Sequence, residues 1–374
     1  MKRVCYLYPP AYHYRMPFNE RLRAILAERG VDYVVIYSDL GKKNRFKNDT
    51  VEIPWGEKVA LTRTPLGLEY QHALRSALRC NLVIMQQENR LALNYLLHAF
   101  SALRCTRIAF FGHGRNFQSR KPDSVGERMK RFWATKVDWW FGYTEETKRH
   151  VAALGFPPER ITVFNNAVDT SEVRQQVAAT STERLAALRT ELGLVGNNIG
   201  VLVGSLYPDR RLAFLVDAAD RIRARVTDFE LVIVGGGPDL PLVQELAATR
   251  QWIKVTGPRF GAEKVELMLL GKLFLMPGLV GLAVVDAGAA GLPTVTTAFP
   301  YHSPEIAYVE HDVNGVIVVD WENPAAYADA VASLLENPAR LAAMQAAAHR
   351  MAEGLTIEAM AQRFADGVMQ ALAA

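Results

Sequence analysis

The chain is poor in cysteine: Cys5, Cys80 and Cys105 stand far apart in 374 residues. Such spacing excludes a disulfide scaffold and a zinc cluster. Each cysteine sits in or beside an apolar segment, so all three are expected as reduced core thiols in the cytoplasm. Net charge is also small, +4, and no nucleic-acid reading module is recognisable, so nucleic acid is not an expected partner. Long apolar runs are missing too. The longest window, 91–103, contains Asn94, His98 and Ser101 and is too short to span a bilayer. The basic start is cut short by Pro9 and Pro10, leads to no small-residue cleavage site and reads as a first strand. Low-complexity tracts and internal repeats are absent, as is any Asp-x-Asp pair. The nearest imitation, Asp320-Trp-Glu322, is expected in a solvated turn.

What is present is ordinary globular material, 50% hydrophobic and 22% charged, in a chain long enough for two domains of roughly 150 to 200 residues. Apolar runs at 3–8, 33–37, 82–86, 107–111, 139–143 and 161–164 predict strands, with helices such as 19–29 and 127–136 between them. The alternation restarts at 199–203, 229–234, 253–256, 273–276, 294–297 and 315–319. Two doubly wound α/β domains with parallel sheets follow, 1–170 and 171–355. The polar stretch 170–194 predicts a helical connector, and 356–374 an amphipathic closing helix carrying Ile357, Met360, Phe364 and Val368.

Open parallel sheets bind ligands beyond the carboxyl ends of their strands, so the turns after strands are where chemistry is sought. In 201–212, VLVGSLYPDRRL, Gly204, Ser205, Arg210 and Arg211 offer backbone N–H groups, a hydroxyl and guanidinium groups. They form either a phosphate cradle or an ordinary turn with solvated arginines. In LVIVGGGPD, 231–239, the third small residue of a dinucleotide fingerprint is missing, and a tight structural turn is expected. In 277–297, PGLVGLAVVDAGAAGLPTVTT, a helix over 281–290 is expected to present its first N–H groups to a ligand. Asp286 is the single charge in that run. A carboxylate against apolar surface needs a partner, either an arginine of the fold or the hydroxyl groups of a ligand.

The ordered set of these segments, with Pro304-Glu-Ile306, Asn314-Gly, Gly112-His-Gly and Asn166-Ala-Val-Asp, resembles glycosyltransferase family 4 over nearly the whole chain. The resemblance implies the GT-B fold: two facing Rossmann-like domains with a cleft between them, the last helix returning to the first domain. It implies a retaining, metal-independent hexosyltransferase that uses a UDP- or GDP-sugar and no separate cofactor. The acceptor would be a glycan or lipid-linked, in surface polysaccharide or glycoconjugate synthesis. An inactive sugar-nucleotide binding protein of the same fold is the alternative. By residue, the resemblance places the ribose-binding carboxylate at Asp286, the donor-phosphate cation at Arg210 and a histidine near the reacting sugar at His113. Donor contacts are expected from Gly204, Leu279, Val280, Gly281 and Leu282. Ser205 stands where the family has a phosphate-binding arginine, which Arg211 or Arg259 would replace. Gly278 stands where the family has the sugar-binding glutamate. Tyr14, Arg15, Asn89 and Arg115 are acceptor-side candidates.

The segment 115–140 mixes Arg120, Lys121, Arg128, Lys130, Arg131 and Lys136 with Phe132, Trp133, Trp139 and Trp140. It is either a face that rests on anionic lipid at the inner side of the cytoplasmic membrane or a solvated basic face over a core-facing aromatic side. The sequence gives no indication of oligomeric state.

Overall fold

Strands covered on both faces need apolar residues at successive positions rather than alternate ones. In β1 (Lys2–Tyr8) the last five residues are all buried. The computed structural model describes residues 1–9, 11–12, 15–39, 51–65, 67–115, 120 and 124–374. After β1 come β2 (Val31–Tyr37), β3 (Glu57–Lys58), an antiparallel ribbon of β4 (Leu61–Arg63) and β5 (Glu69–Gln71), then β6 (Leu82–Gln86), β7 (Arg107–Gly112), β8 (Trp139–Gly142) and β9 (Ile161–Val163). Among the described residues they build a seven-stranded parallel sheet in the order β3, β2, β1, β6, β7, β8, β9. The second sheet has six parallel strands: β10 (Asn198–Val203), β11 (Phe229–Val234), β12 (Ile253–Gly257), β13 (Leu273–Leu275), β14 (Thr294–Thr297) and β15 (Gly315–Val318). Their order is β12, β11, β10, β13, β14, β15. In each sheet the strand order reverses beside its first strand, and the crevice at such a switch point is where doubly wound sheets take ligands.

The chain divides into two compact units, Met1–Val168 with Ile357–Ala374, and Asp169–Thr356. The closing helix Ile357–Ala373 belongs to the first. Its Phe364 ring stacks on Phe141 at 4.1 Å between centroids and touches Phe18, Phe111 and Phe164. Gly367 lets the helix approach β9, since a Cβ there would stand 2.3 Å from Thr162 Oγ1. Lys2 Nζ and Arg107 Nη1 donate to the carbonyls of Leu372 and Ala371, both at 2.9 Å, which satisfies acceptors at the helix end.

Several expectations need correction. The short strands β3, β4 and β5 were not expected, because two- and three-residue polar segments carry no apolar period. The connector is two helices, Ser171–Ala179 and Thr182–Leu192. Cys5 and Cys80 are buried but Cys105 is exposed: it follows Arg104, whose φ of 57° closes a surface helix end. The helix expected over 281–290 runs only over Ala283–Ala289.

Candidate functional site

In the first unit the carboxyl ends of β6, β7 and β8 open into a cavity of about 460 Å³. It brings together His113, Asn89 and Arg115, and adds Gln87, Glu127, Lys130 and Tyr143, which sequence reasoning did not assign. His113 follows β7 and precedes Gly114, which has φ +78° and whose Cβ would lie 2.9 Å from Val151 Cγ2; both conformation and space demand glycine there. The half-buried imidazole lies 4.0 Å from the Tyr143 ring. Burial first, then the charges of Arg15 and Lys130, push its pKa down to about 4, so at neutral pH it offers a neutral ring rather than a cation.

The floor of this cavity is tied together locally. Helix Val125–Ala134 is capped by Ser124 Oγ, which accepts from the Glu127 N–H at 3.3 Å, the Ser-x-x-Glu arrangement of a capping box. Asn89 Nδ2 donates to Gly126 O at 2.7 Å and Gln87 Nε2 to Lys130 O at 3.3 Å. Glu127 and Lys130 pair at 3.4 Å with both side chains largely covered. Arg115 pairs with Glu146 at 3.5 Å, both well exposed, a geometry worth little. Arg15 does not line the cavity. It is buried behind the wall, with Nη2 3.3 Å from Tyr143 Oη and Nη1 3.8 Å from Met360 Sδ. Tyr14 lies outside the described residues, as does Lys121.

In the second unit three turns meet beyond β10, β13 and β14. Gly204 ends β10, and the tight turn Pro208–Arg210 follows. Arg210 is buried, its Nε donating to Ser205 O at 3.3 Å and its Nη1 to Leu279 O. Burial lowers its pKa, but a guanidinium starts so high that it keeps its charge. In return the Leu279 N–H donates to Asp209 O at 2.8 Å. Gly278 sits beneath this exchange: a Cβ there would fall 2.0 Å from Asp209 O and 2.9 Å from Arg210 Cα. The space that a side chain at 278 would need is therefore filled by backbone. On the other side, the Val280 N–H donates to His302 Nδ1 at 2.9 Å, while Nε2 faces Thr297 O at 2.8 Å. His302 is buried with a pKa pushed down to about 4, and the neutral Nε2–H tautomer satisfies both bonds.

Among the residues expected to contact the donor, Leu279 and Val280 thus already use their N–H groups within the fold. Those of Gly281 and Leu282 donate to nothing among the described residues. Arg211, at φ 58°, lies among Phe214, Trp321 and Phe299, with Cζ 4.0, 4.8 and 5.8 Å from the ring centroids; this is an aromatic seat rather than an open cationic arm. Arg259 is exposed and 3.6 Å from Glu263. The Gly235–Gly237 turn packs beneath 204–206: a Cβ on Gly235 would meet Gly204 O at 1.9 Å. Asp286 stands in the first turn of helix Ala283–Ala289, and its partner within the chain is not an arginine. It is Lys264 Nζ, 2.9 Å from Oδ2. The residues missed here, Lys264 and His302, act across 22 positions each, a separation that no local pattern reveals.

Two parallel doubly wound units, each with its strand order reversing beside its first strand, define the GT-B fold. Solved structures of that fold align along the whole chain. Anabaena HepE in complex with UDP superposes with a TM-score of 0.71 at 18% identity, covering 99% of this chain and 100% of that one. The pneumococcal O-GlcNAc transferase GtfA in complex with UDP and GlcNAc gives 0.66 at 12%, covering 99% of each. The model of Glycosyltransferase Family 4 matches residues 19–172, and that of Glycosyl transferases group 1 matches 197–337. The chain belongs to glycosyltransferase family 4. Among curated relatives, the GDP-mannose-dependent alpha-(1-6)-phosphatidylinositol monomannoside mannosyltransferase of Mycobacterium tuberculosis is 32% identical over 212 residues, 53% of this chain and 52% of the relative. The D-inositol 3-phosphate glycosyltransferase of Thermobispora bispora is 28% identical over 247 residues, 61% and 54%. The chain spans about half the length of the curated relatives it matches.

Proposed function

We propose that this protein transfers a hexose from a UDP- or GDP-sugar to a glycan or lipid-linked acceptor in surface polysaccharide or glycoconjugate synthesis, with retention at the anomeric carbon and without a metal. The observation that carries the reading is the arrangement in the second unit: three turns locked by Arg210, Gly278 and His302 leave the Gly281 and Leu282 N–H groups without an acceptor among the described residues, five and four positions ahead of the Asp286 carboxylate in the chain. N–H groups suit a diphosphate, and a carboxylate suits ribose hydroxyls. The acceptor oxygen bonds to the anomeric carbon as the bond to the diphosphate oxygen breaks on the same face, and the acceptor's proton passes to that diphosphate. Arg210 and the backbone dipoles stabilise the charge left on the diphosphate. A neutral His113 holds a sugar hydroxyl by hydrogen bonding.

Release of UDP or GDP from a panel of their hexose conjugates, followed in excess EDTA, tests the reading. Turnover that survives chelation, with kcat reduced roughly tenfold in His113→Ala, the worth of one hydrogen bond, is the expected result. Strict dependence on a divalent ion sinks the metal-free mechanism. Donor binding without turnover under any acceptor favours the inactive alternative.

The same reading places the protein on the inner face of the cytoplasmic membrane. Helix Val125–Ala134 presents Val125, Met129 and Phe132 at 73%, 38% and 60% exposure, spaced i, i+4, i+7 on one stripe, with Arg128 and Arg131 beside it. Exposed apolar residues flanked by cations suit an anionic lipid surface. Sedimentation with phosphatidylglycerol vesicles should be strong at low salt, weak at 0.5 M salt and reduced several-fold in Phe132→Ser. Equal binding to neutral vesicles, or none to either, removes the membrane claim.

A further inference from the structure

Asp286 uses one oxygen on Lys264, and Oδ1 accepts no hydrogen bond from the described residues. A carboxylate offers about four lone-pair sites, so most of its accepting capacity remains. The pair is not a loose surface contact: the Lys264 and Asp286 side chains are 25% and 19% exposed, and screening by water is reduced accordingly. Neither partner sits on a free arm. Lys264 is on helix Gly261–Leu269 and Asp286 on helix Ala283–Ala289. The neighbouring residues Val265 and Ala289 are both about 1% exposed and pack in one cluster with Val173 and Ala352. Both helices pack against helix Ser171–Ala179, so each partner of the ion pair stands on an anchored element, which is how a binding group is held in one orientation.

We propose that Lys264 is a positioning residue for the donor: by binding Oδ2 it turns Oδ1 of Asp286 toward the ribose hydroxyls, and so sets a preference for ribonucleotides over 2′-deoxyribonucleotides. The inference rests on Asp286 being the ribose anchor. Lys264 touches no part of the ligand in this scheme, and its effect passes through the carboxylate alone.

The test is calorimetric binding of UDP and GDP, and of their 2′-deoxy counterparts, to wild type, Asp286→Asn, Lys264→Met and Lys264→Arg. Wild type should prefer the ribonucleotide by roughly tenfold or more, the worth of hydrogen bonds to a charged group. Asp286→Asn should erase most of that preference. Lys264→Met should erase it as well while leaving the deoxynucleotide affinity within about twofold, and Lys264→Arg should keep it. Because the preference is a ratio measured within one variant, a general loss of stability does not imitate it. A preference that survives in Asp286→Asn overturns the ribose anchor. One that is lost in Asp286→Asn but intact in Lys264→Met overturns the role of Lys264 and leaves the anchor standing, and loss in Lys264→Arg likewise counts against the ion pair.

Discussion

Putting the family's glutamate back, as Gly278→Glu, should disable this protein rather than improve it. The first side-chain carbon at 278 would fall 2.0 Å from Asp209 O and 2.8 Å from the Arg210 carbonyl carbon, and both are backbone atoms that cannot rotate away. The turn Pro208–Arg210 has to move, which breaks the Leu279 N–H bond to Asp209 O and the Arg210 bond to Leu279 O. Overpacking costs about 1–3 kcal/mol, and each buried polar group stranded by the shift adds about 1–3 more. For a unit of this size the sum corresponds to a fall in Tm of roughly 10 °C, with donor affinity lost because the diphosphate turn no longer has its shape. Gly278→Ala should share most of the effect, since Cβ alone makes the clash. Gly281→Ala is the control: its nearest neighbour would be Leu279 Cδ2 at 3.9 Å, so its Tm should stay within about 2 °C. Thermal unfolding monitored with and without UDP and GDP decides the matter. A Gly278→Glu protein that melts like wild type and gains turnover would show that packing is not what keeps the glutamate out.

This also shows what the sequence could and could not convey. Predominantly apolar runs such as LVIMQ at 82–86 and FELVIV at 229–234 place strands with boundaries that the structure shares, because burial on both faces favours apolar residues at successive positions and leaves the polar turns to mark the ends. The glycine at 278 was visible as a departure from the family, but its cause was not, since the carbonyl that fills the space belongs to a turn 69 positions earlier. Asp286 was visible as an anomalous charge, and the need for a partner followed from desolvation alone. That the partner is Lys264, from a different helix, depends on how two helices cross. Arg15 and Arg211 read as open cations in the sequence. The fold turns the first under Tyr143 and the second into an aromatic seat, because a guanidinium stacks on rings as readily as it pairs with anions.

Lowering the pH from 7 to 5 should destabilise both units well before the carboxylates titrate. His98 in the first unit and His302 in the second are buried, each with its pKa pushed from 6.5 down to about 4, chiefly by burial. His302 has a geometric reason as well. Its Nδ1 accepts from the Val280 N–H, and a proton on that nitrogen would set two donors against each other. The unfolded chain takes up a proton at each histidine near pH 6.5, whereas the folded chain does not until about pH 4. Between these values the unfolded state binds more protons, so the contribution to stability is complete above pH 6.5, falls as the pH drops and is gone below about 4. At 1.36 kcal/mol per pH unit, each histidine accounts for about 2 kcal/mol by pH 5. Urea unfolding between pH 8 and pH 4.5 should therefore be flat above 7 and decline below 6.5. His302→Gln should be less stable at pH 7 and lose less on acidification, because one of the buried titrating histidines is gone. The donor turn should loosen over the same range, since the bond that fixes Val280 is the one that protonation breaks. An acid limb of the stability curve that is unchanged in His302→Gln would mean that His302 does not carry it.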